Sequence, residues 1–283
     1  MHNMKNKLNR IAMAALFLSL AVSCQKMKRP ALGDYPPDTN PVGGPLKFYA
    51  AYDGTSNDPL RNAVDSIRAN FASSNPLTSI DGVTGKGIQG ADQSAIKYAS
   101  PNDFAGSTSF TVCMWIKNDV PGGGNPQFLF SLPDKDYWAK SAMFALVDHT
   151  GAGSTIDSAV LKFYINDNGG DHWFELTGAN RMYRILDNQW HHLAFAYDET
   201  TSDLAIYRDG EVYKTLNWSG HGPFTIDGGK VFGFVVGGMN KHVGLEGPTD
   251  GWIQSWQGGM DQFRLYNKAL TTTEVQAFYN SRL

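Results

Sequence analysis

The sequence predicts an all-β protein built as a two-sheet antiparallel sandwich, and residues 190–214 carry the strongest signal. Leu193, Phe195 and Tyr197 alternate with alanines, which is the period-2 pattern of a half-buried strand. The Asp209-Gly210 pair stands at the centre of a tight turn, where both residues can take positive φ. The 30 glycines and 13 prolines fit many turns between short strands.

The remaining elements follow from local patterns along the chain. Further strands are predicted at residues 46–52, 85–90, 95–98, 110–117, 128–132, 142–148, 161–165, 173–176, 231–237 and 256–266. Residues 57–71 fit either a short helix or a long irregular loop. Thr271 and Glu274 form a capping box, which predicts a short C-terminal helix through Tyr279.

The N-terminal region has the pattern of an export signal. Basic residues precede an apolar segment, residues 11–22, that is too short for a comfortable membrane span, and Cys24 follows a small residue. We therefore predict a lipoprotein signal peptide at 1–24 with a lipidated Cys24, with ordinary signal-peptidase cleavage as the alternative. Residues 25–45 form a Pro/Gly-rich tether, and residues 46–283 form one β-rich domain.

Composition excludes several classes of protein. The net charge is −3, and no basic block follows the N-terminal region, which argues against a nucleic-acid binder. The two cysteines are Cys24 and Cys113. Cys113 lies within a predicted strand, where a buried small hydrophobe is the ordinary role. The sequence therefore predicts neither a disulfide framework nor a cysteine-based metal site.

Four segments together carry a family resemblance. They are the strand at 109–117 that ends in Trp-Ile-Lys, the Trp-His-His hairpin with its Arg-Asp-Gly turn at 190–214, the Gly-Gly-Met-Asn loop at 237–240, and the closing strand at 257–270. In order and spacing they resemble the laminin-G-like domains of the concanavalin A-like lectin/glucanase superfamily. The resemblance implies a jelly-roll sandwich of two curved sheets over residues 46–283.

The N-terminal region and the chain as a whole are similar to envelope lipoproteins of Bacteroidetes. The resemblance implies a protein anchored by lipid to the outer membrane. Surface-exposed lipoproteins of that group often carry acidic residues after the cysteine, whereas this chain has Lys26, Lys28 and Arg29. The sequence is therefore compatible with a location on either the periplasmic or the cell-surface face of the outer membrane.

The sequence does not predict an enzyme. Glucanases of this fold hold two carboxylates about 5 Å apart, and no strand of this chain carries their paired-carboxylate motif. Asp171 and Glu175 share a strand face and are the nearest approach to one. The His191-His192 pair is interpreted as the start of a strand rather than as a metal or base site. We interpret the protein as non-catalytic.

The family resemblance also implies one structural Ca²⁺ ion. Asp53, after the first strand, and Asp261, in the closing strand, match positions that the family uses for calcium. Calcium takes six to eight hard oxygen ligands, which carboxylates and loop carbonyls supply. The alternative is that Asp53 belongs to a turn and Asp261 forms local pairs.

Tryptophans in polar loops indicate a glycan site, because exposed indole rings otherwise carry a cost. The candidate glycan-binding residues are Trp138, Trp173, Trp218, Trp252, His172 and Asn240, whereas Trp115, Trp190 and Trp256 belong to strand motifs and are predicted in the core. The sequence thus favours a lectin-like, carbohydrate-binding protein of the bacterial envelope. A protein-binding or adhesion module is the alternative, and a glycoside hydrolase is the weaker one.

Overall fold

Two antiparallel β-sheets packed face to face form the sandwich that the sequence predicts. The computed structural model describes residues 43–53, 72–118, 124–135, 138–149, 157–167 and 170–282, all of which belong to one compact unit, Asn40–Leu283. The predicted signal peptide with Cys24, the tether up to residue 42 and the segment 57–71 lie outside the described residues.

The strands assemble into sheet 1 and sheet 2. In chain order they are β1 (Leu46–Ala50), β2 (Ala72–Ser74), β3 (Thr78–Asp81), β4 (Lys86–Gln89), β5 (Ile96–Tyr98), β6 (Phe110–Lys117), β7 (Gln127–Pro133), β8 (Ser141–Asp148), β9 (Val160–Asp167), β10 (Gly170–Leu176), β11 (His191–Asp198), β12 (Asp203–Arg208), β13 (Glu211–Asn217), β14 (Phe234–Val236), β15 (Gln254–Ser255) and β16 (Gly259–Tyr266). Sheet 1 has the order β13-β12-β11-β6-β16-β4-β3, with β1 on β16. Sheet 2 has the order β10-β9-β8-β7-β14-β5-β2, and the short β15 runs parallel to β7.

The inner faces of the two sheets form the main core. On β6 and β11, Val112 lies opposite Phe195 in register, and both side chains are fully buried. From sheet 2, Phe163 meets Phe195 with ring centroids 4.8 Å apart. Alternation along each strand thus sends every second side chain between the sheets, which confirms the all-β sandwich.

The predicted meander is present with its predicted turn. Strands β11, β12 and β13 pair consecutively and antiparallel. Asp209 and Gly210 have φ values of 54° and 83°, as a two-residue hairpin turn with two positive φ angles requires. Local signals alone were sufficient to predict this part of sheet 1.

The C-terminal helix covers the outer face of sheet 1. Helix α1 (Thr272–Ser281) begins at the predicted capping box, in which Glu274 N–H donates to Thr271 Oγ1. Its Val275 packs on Cys113 and on neighbouring alanines of sheet 1. Burial raises the pKa of the Cys113 thiol to about 12, so this cysteine is a buried hydrophobe, as predicted. Among the described residues, no helix is long and apolar enough to span a membrane.

Two predicted strands are at least three residues shorter than expected, and one tryptophan is less buried than expected. The strand predicted at 256–266 begins only at Gly259, because the Trp256 side chain turns into the core. The backbone N–H of Trp256 donates to the carbonyl of Gly237, which follows β14 of sheet 2, at 2.9 Å. The strand predicted at 231–237 is reduced to β14. Trp190, predicted in the core, is only partly buried and lies against Gly259 at the start of β16.

Candidate functional site

A row of aromatic rings crosses the outer face of sheet 2. Trp173 on β10 lies opposite Tyr164 on β9, which lies opposite Phe144 on β8. The Tyr164 and Phe144 rings stack with centroids 4.5 Å apart, and the Trp173 ring meets Tyr164 edge-on at 4.9 Å. Because the neighbours Phe163 and Ile165 point into the main core, the strand period places this row on the opposite, outer face.

Two further tryptophans from loops join the row. Trp138 is 53% exposed, with its ring centroid 6.3 Å from that of Tyr164. Trp252 is 39% exposed and lies 6.1 Å from Phe128, which in turn contacts Phe144. We call the surface formed by Trp138, Trp173 and Trp252 over the buried rings of Phe128, Phe144 and Tyr164 the aromatic face. Three of the four candidate loop tryptophans therefore come together.

Asn240 lies beneath the loops of the aromatic face and is fully buried. Its Oδ1 accepts a hydrogen bond from Ser131 Oγ at 3.1 Å, and its Nδ2 donates to the carbonyls of Lys140 and Glu246 at 2.6 and 2.8 Å. A ligand can reach neither end of this amide. The prediction that Asn240 contacts a glycan is therefore wrong, and the residue instead fixes the loop that carries Trp138.

Trp218 and His172 lie apart from the aromatic face, in a stack of three rings. The indole of Trp218 lies between the imidazoles of His172, 4.6 Å away, and His221, 3.6 Å away, with all rings nearly parallel. Burial, with the neighbouring His221, lowers the pKa of His172. Because both faces of the Trp218 ring are covered, Trp218 offers no sugar-stacking surface and that prediction is corrected. His172 stays a prediction, at a position away from the aromatic face.

Charged side chains at one end of the aromatic face pair with one another. Lys162 Nζ lies 3.3 Å from Asp148 Oδ2 and 3.3 Å from Glu175 Oε1. The lysine therefore fills the space between the carboxylates, where a glycosidase would need the scissile bond. Asp171 and Glu175 are four residues apart on β10, which corresponds to about 13 Å at strand rise, too far for a pair of glycosidase carboxylates.

The two adjacent histidines support the fold of sheet 1. His191 lies between two carboxylates, with Nδ1 2.8 Å from Asp209 Oδ2 and Nε2 3.0 Å from Asp187 Oδ1. His192 is fully buried beside Trp115, and burial lowers its pKa to about 3. Their positions match the interpretation of this motif as the start of a strand.

Asp53 and Asp261 meet at the turn between β3 and β4. Asp53 Oδ1 accepts a hydrogen bond from Lys86 N–H at 2.6 Å, and Asp261 Oδ2 accepts one from Val83 N–H at 2.8 Å. Burial, opposed by backbone hydrogen bonds, raises the pKa of Asp261 to about 7. The residues beside them, Tyr52 and Gln262, have positive φ angles of 59° and 49°, a strained conformation that clusters at ligand sites.

The donor chemistry at this turn fits calcium. Asp261 Oδ1 is buried and has no hydrogen-bond partner among the described residues, and carboxylate and carbonyl oxygens are the ligands that Ca²⁺ prefers. The described ranges contain no group of three or more His, Cys, Asp or Glu side chains that could hold a metal ion. Asp53 and Asp261 would therefore supply the carboxylates of such a site, and backbone carbonyls or water the other ligands.

The buried rings of the aromatic face were not singled out from the sequence. Phe163 and Tyr164 are adjacent aromatic residues on β9, so alternation does not reveal which of the two faces outward. The signal that was available is the presence of large apolar side chains at both parities of β8 and β9, which is unusual for a strand with one solvated face.

Comparison with known proteins agrees with this architecture. The family model Laminin_G_3, described as the concanavalin A-like lectin/glucanases superfamily, matches residues 89–276, which is more than half of the chain. The chain belongs to this superfamily. Among curated proteins, the human neuronal pentraxin receptor is 26% identical over 173 residues, a match that covers 61% of this chain and 29% of the receptor. The chain thus spans less than a third of that relative.

Solved structures resemble this chain in architecture alone. Domain 4 of AbnA, an extracellular arabinanase from Geobacillus stearothermophilus, was solved in complex with arabinotriose; it has a TM-score of 0.54 and 18% identity, with 83% of this chain and 98% of that one covered. The receptor-binding domain of botulinum neurotoxin type G has a TM-score of 0.54 and 13% identity, with coverages of 84% and 52%. At these identities the likeness supports the fold.

Proposed function

We propose that this protein is a non-catalytic, lectin-like protein that binds carbohydrate on the aromatic face. The observation that carries the proposal is that Trp138, Trp173 and Trp252 lie together over the buried rings of the aromatic face. Indole surface held open on a rigid sheet offers apolar area to the faces of sugar rings, and its burial is favourable. The AbnA domain that shares the fold was solved in complex with arabinotriose, which agrees with a glycan ligand.

The charges around the aromatic face support a binding role over a catalytic one. Lys162 pairs with both Asp148 and Glu175, and Lys140 Nζ lies 3.3 Å from Glu246 Oε1. Charges that are paired internally leave stacking and hydroxyl hydrogen bonds as the main contacts. We therefore infer that the aromatic face captures glycan and does not cleave it.

A glycan array with the full-length protein tests this function. We expect binding to at least one glycan class, and its loss in the variants Trp138→Ala and Trp252→Ala. Tyr183→Ala is the matched control, because Tyr183 is 49% exposed and lies beside β13 at the far edge of sheet 1. An array without any hit, or hits retained by both tryptophan variants, would contradict the proposal.

We further propose that Cys24 anchors the protein by lipid to the bacterial outer membrane. There it would help to capture glycan and would contact envelope proteins. The apolar segment before Cys24 and the tether after it support this location, and a lipid anchor with a long tether leaves the domain free to reach a polysaccharide. Metabolic labelling with a fatty-acid analogue is expected to mark the wild type and not Cys24→Ala. Equal labelling of both would refute the anchor.

We also propose that one structural Ca²⁺ ion is held by Asp53 and Asp261. The buried Asp261 Oδ1 without a hydrogen-bond partner and the strained residue next to each carboxylate support the site. A bound ion would tie β1, the β3–β4 turn and β16 together, because the two carboxylates follow or belong to different strands of sheet 1.

A further inference from the structure

A polar groove lies on sheet 1, where the β3–β4 hairpin meets the ends of β6 and β16. Its volume is about 550 Å³, within the range that small ligands occupy. Gly258 and Gly259 line it without side chains. No other residue fits at position 258 without a shift of the backbone, because a Cβ added to Gly258 would lie 2.2 Å from the Lys117 carbonyl oxygen. The groove is therefore kept open by the backbone itself.

Lys117 lines this groove, and its amino group has no partner among the described residues. The side chain is partly buried, and it makes no ion pair or hydrogen bond within the described residues. Other lysines of the domain do form ion pairs: Lys47, Lys86, Lys140, Lys162 and Lys268. A lysine held at a groove with its charge uncompensated is suited to receive an anion.

The other polar side chains of the groove offer both donors and acceptors. Asn188, in the left-handed conformation with φ 62°, has a side-chain amide without a hydrogen bond among the described residues. Gln89 Nε2 donates to the Gln257 carbonyl at 2.6 Å, which fixes its amide and leaves Oε1 as an acceptor. Asp81 is a second acceptor, held by Lys86 at 2.6 Å.

We propose that this groove is a second carbohydrate site, specific for a sugar that bears one carboxylate, as a uronic acid does. The carboxylate would pair with Lys117, and the hydroxyl groups would bond to Asn188, Gln89 and Asp81. This assignment does not rest on the aromatic face, which lies on the other sheet.

A sugar acid fits these groups better than an acidic peptide does. Hydroxyl groups donate and accept, so they satisfy the mixed set formed by the Asn188 amide, Gln89 Oε1 and the Asp81 carboxylate. A peptide with several carboxylates would bring a second negative charge towards Asp81, which repels it. Lys117 is the one unpaired cation among the described residues that line the groove, and it therefore selects a ligand with a single anionic group.

Titration of the full-length protein with methyl galacturonoside, a sugar acid with a single carboxylate, followed by NMR or calorimetry, tests the site. We expect saturable binding, weakened at least tenfold in Lys117→Met, since the variant removes a charge-assisted hydrogen bond to the carboxylate. The methyl ester of the same sugar should bind at least tenfold more weakly for the same reason. Lys214→Met is the matched control, because Lys214 is also a partly buried strand lysine without an ion pair among the described residues.

Several outcomes would overturn the assignment. They are no binding, equal binding of acid and ester, equal binding of Lys117→Met and wild type, or tighter binding of a triglutamate peptide. If Lys117→Met does not fold, Asn188→Ala, an exposed position, takes its place and is expected to bind severalfold more weakly. Trp138→Ala should leave this titration unchanged, so that failure here is distinguishable from failure of the aromatic face.

Discussion

Tryptophan has four different roles in this molecule, and neighbours from distant segments decide which one applies. Trp256 fills the main core, and Trp115 is covered by Tyr279 of helix α1. Trp218 lies between two imidazoles, whereas Trp138 keeps more than half of its surface in solvent. Because these partners are far away in sequence, the loop position of a tryptophan did not suffice to predict a ligand contact.

Protonation of the single side chain of His191 links the stability of the folded protein to pH. Burial opposes its protonation, but the hydrogen bonds with Asp209 and Asp187 outweigh burial and raise the pKa of the imidazole. A group whose pKa is higher in the folded state contributes stability that is fully present below its unfolded pKa, about 6.5. That contribution is lost as the pH rises through the folded pKa.

We therefore expect His191→Asn to destabilise the protein by about 2 kcal/mol in mild acid and by less in alkaline solution. Urea unfolding of wild type and variant over a pH series measures the difference. Asp171→Asn, at an exposed strand position, serves as the control and should show no such trend. A constant difference between His191→Asn and wild type at every pH would refute the linkage.

At the scale of elements, local and long-range signals differ in what they predict. The β11–β13 meander was predicted closely, because alternation and the Asp209-Gly210 turn are both local. The strand predicted at 256–266 was too long. Its first residues are diverted by contacts with Gly237 and with the main core, and no local pattern encodes those contacts.

The start of β16 depends on a glycine that permits close approach of two strands. An added Cβ at Gly258 would lie 2.2 Å from the Lys117 carbonyl oxygen and 2.7 Å from the Trp256 ring. We expect Gly258→Ala to lower the free energy of unfolding by about 2 kcal/mol, since overpacking forces the backbone to shift. Gly251→Ala is the control, because nothing lies within 4 Å of its added Cβ. Equal stability of the two variants in urea would contradict this packing.

The turn between β3 and β4 is where calcium should affect stability. We expect added Ca²⁺ to raise the melting temperature of the wild type, because an ion that binds only the folded state stabilises it by about 2.7 kcal/mol at a hundredfold excess over Kd. Asp53→Asn and Asp261→Asn should remove the response, and Asp171→Asn should retain it. A wild type whose melting temperature is the same in Ca²⁺ and in chelator would rule the site out.

At the scale of the whole molecule, the two outer faces of the sandwich differ. Helix α1 and small residues such as Cys113 and Ala194 close the outer face of sheet 1. No α-helix among the described residues covers the outer surface of sheet 2, which instead bears the exposed tryptophans of the aromatic face and the ion pairs of Lys140 and Lys162. The fold class and the helix cap were predictable from the sequence, but this division was not, because it depends on which parity of β8 and β9 points outward.

Contacts between distant segments also decided which of the predicted site residues lie on the aromatic face. Trp138, Trp173 and Trp252 were predicted singly, and the structure brings them together. Asn240 is occupied by Ser131, Lys140 and Glu246, contacts that span up to 109 positions of the chain. Hydrogen-bond partners at such separations have no signature in a single sequence.

Glycan affinity of the tryptophan variants tests the central claim most directly. The measurement is a calorimetric titration of the best array ligand into wild type, Trp138→Ala, Trp252→Ala and Tyr183→Ala. The account predicts that each tryptophan variant binds about tenfold more weakly, a loss of about 1.4 kcal/mol, and that Tyr183→Ala binds as the wild type does. Unchanged affinity in both tryptophan variants, with their melting temperatures preserved, would contradict it.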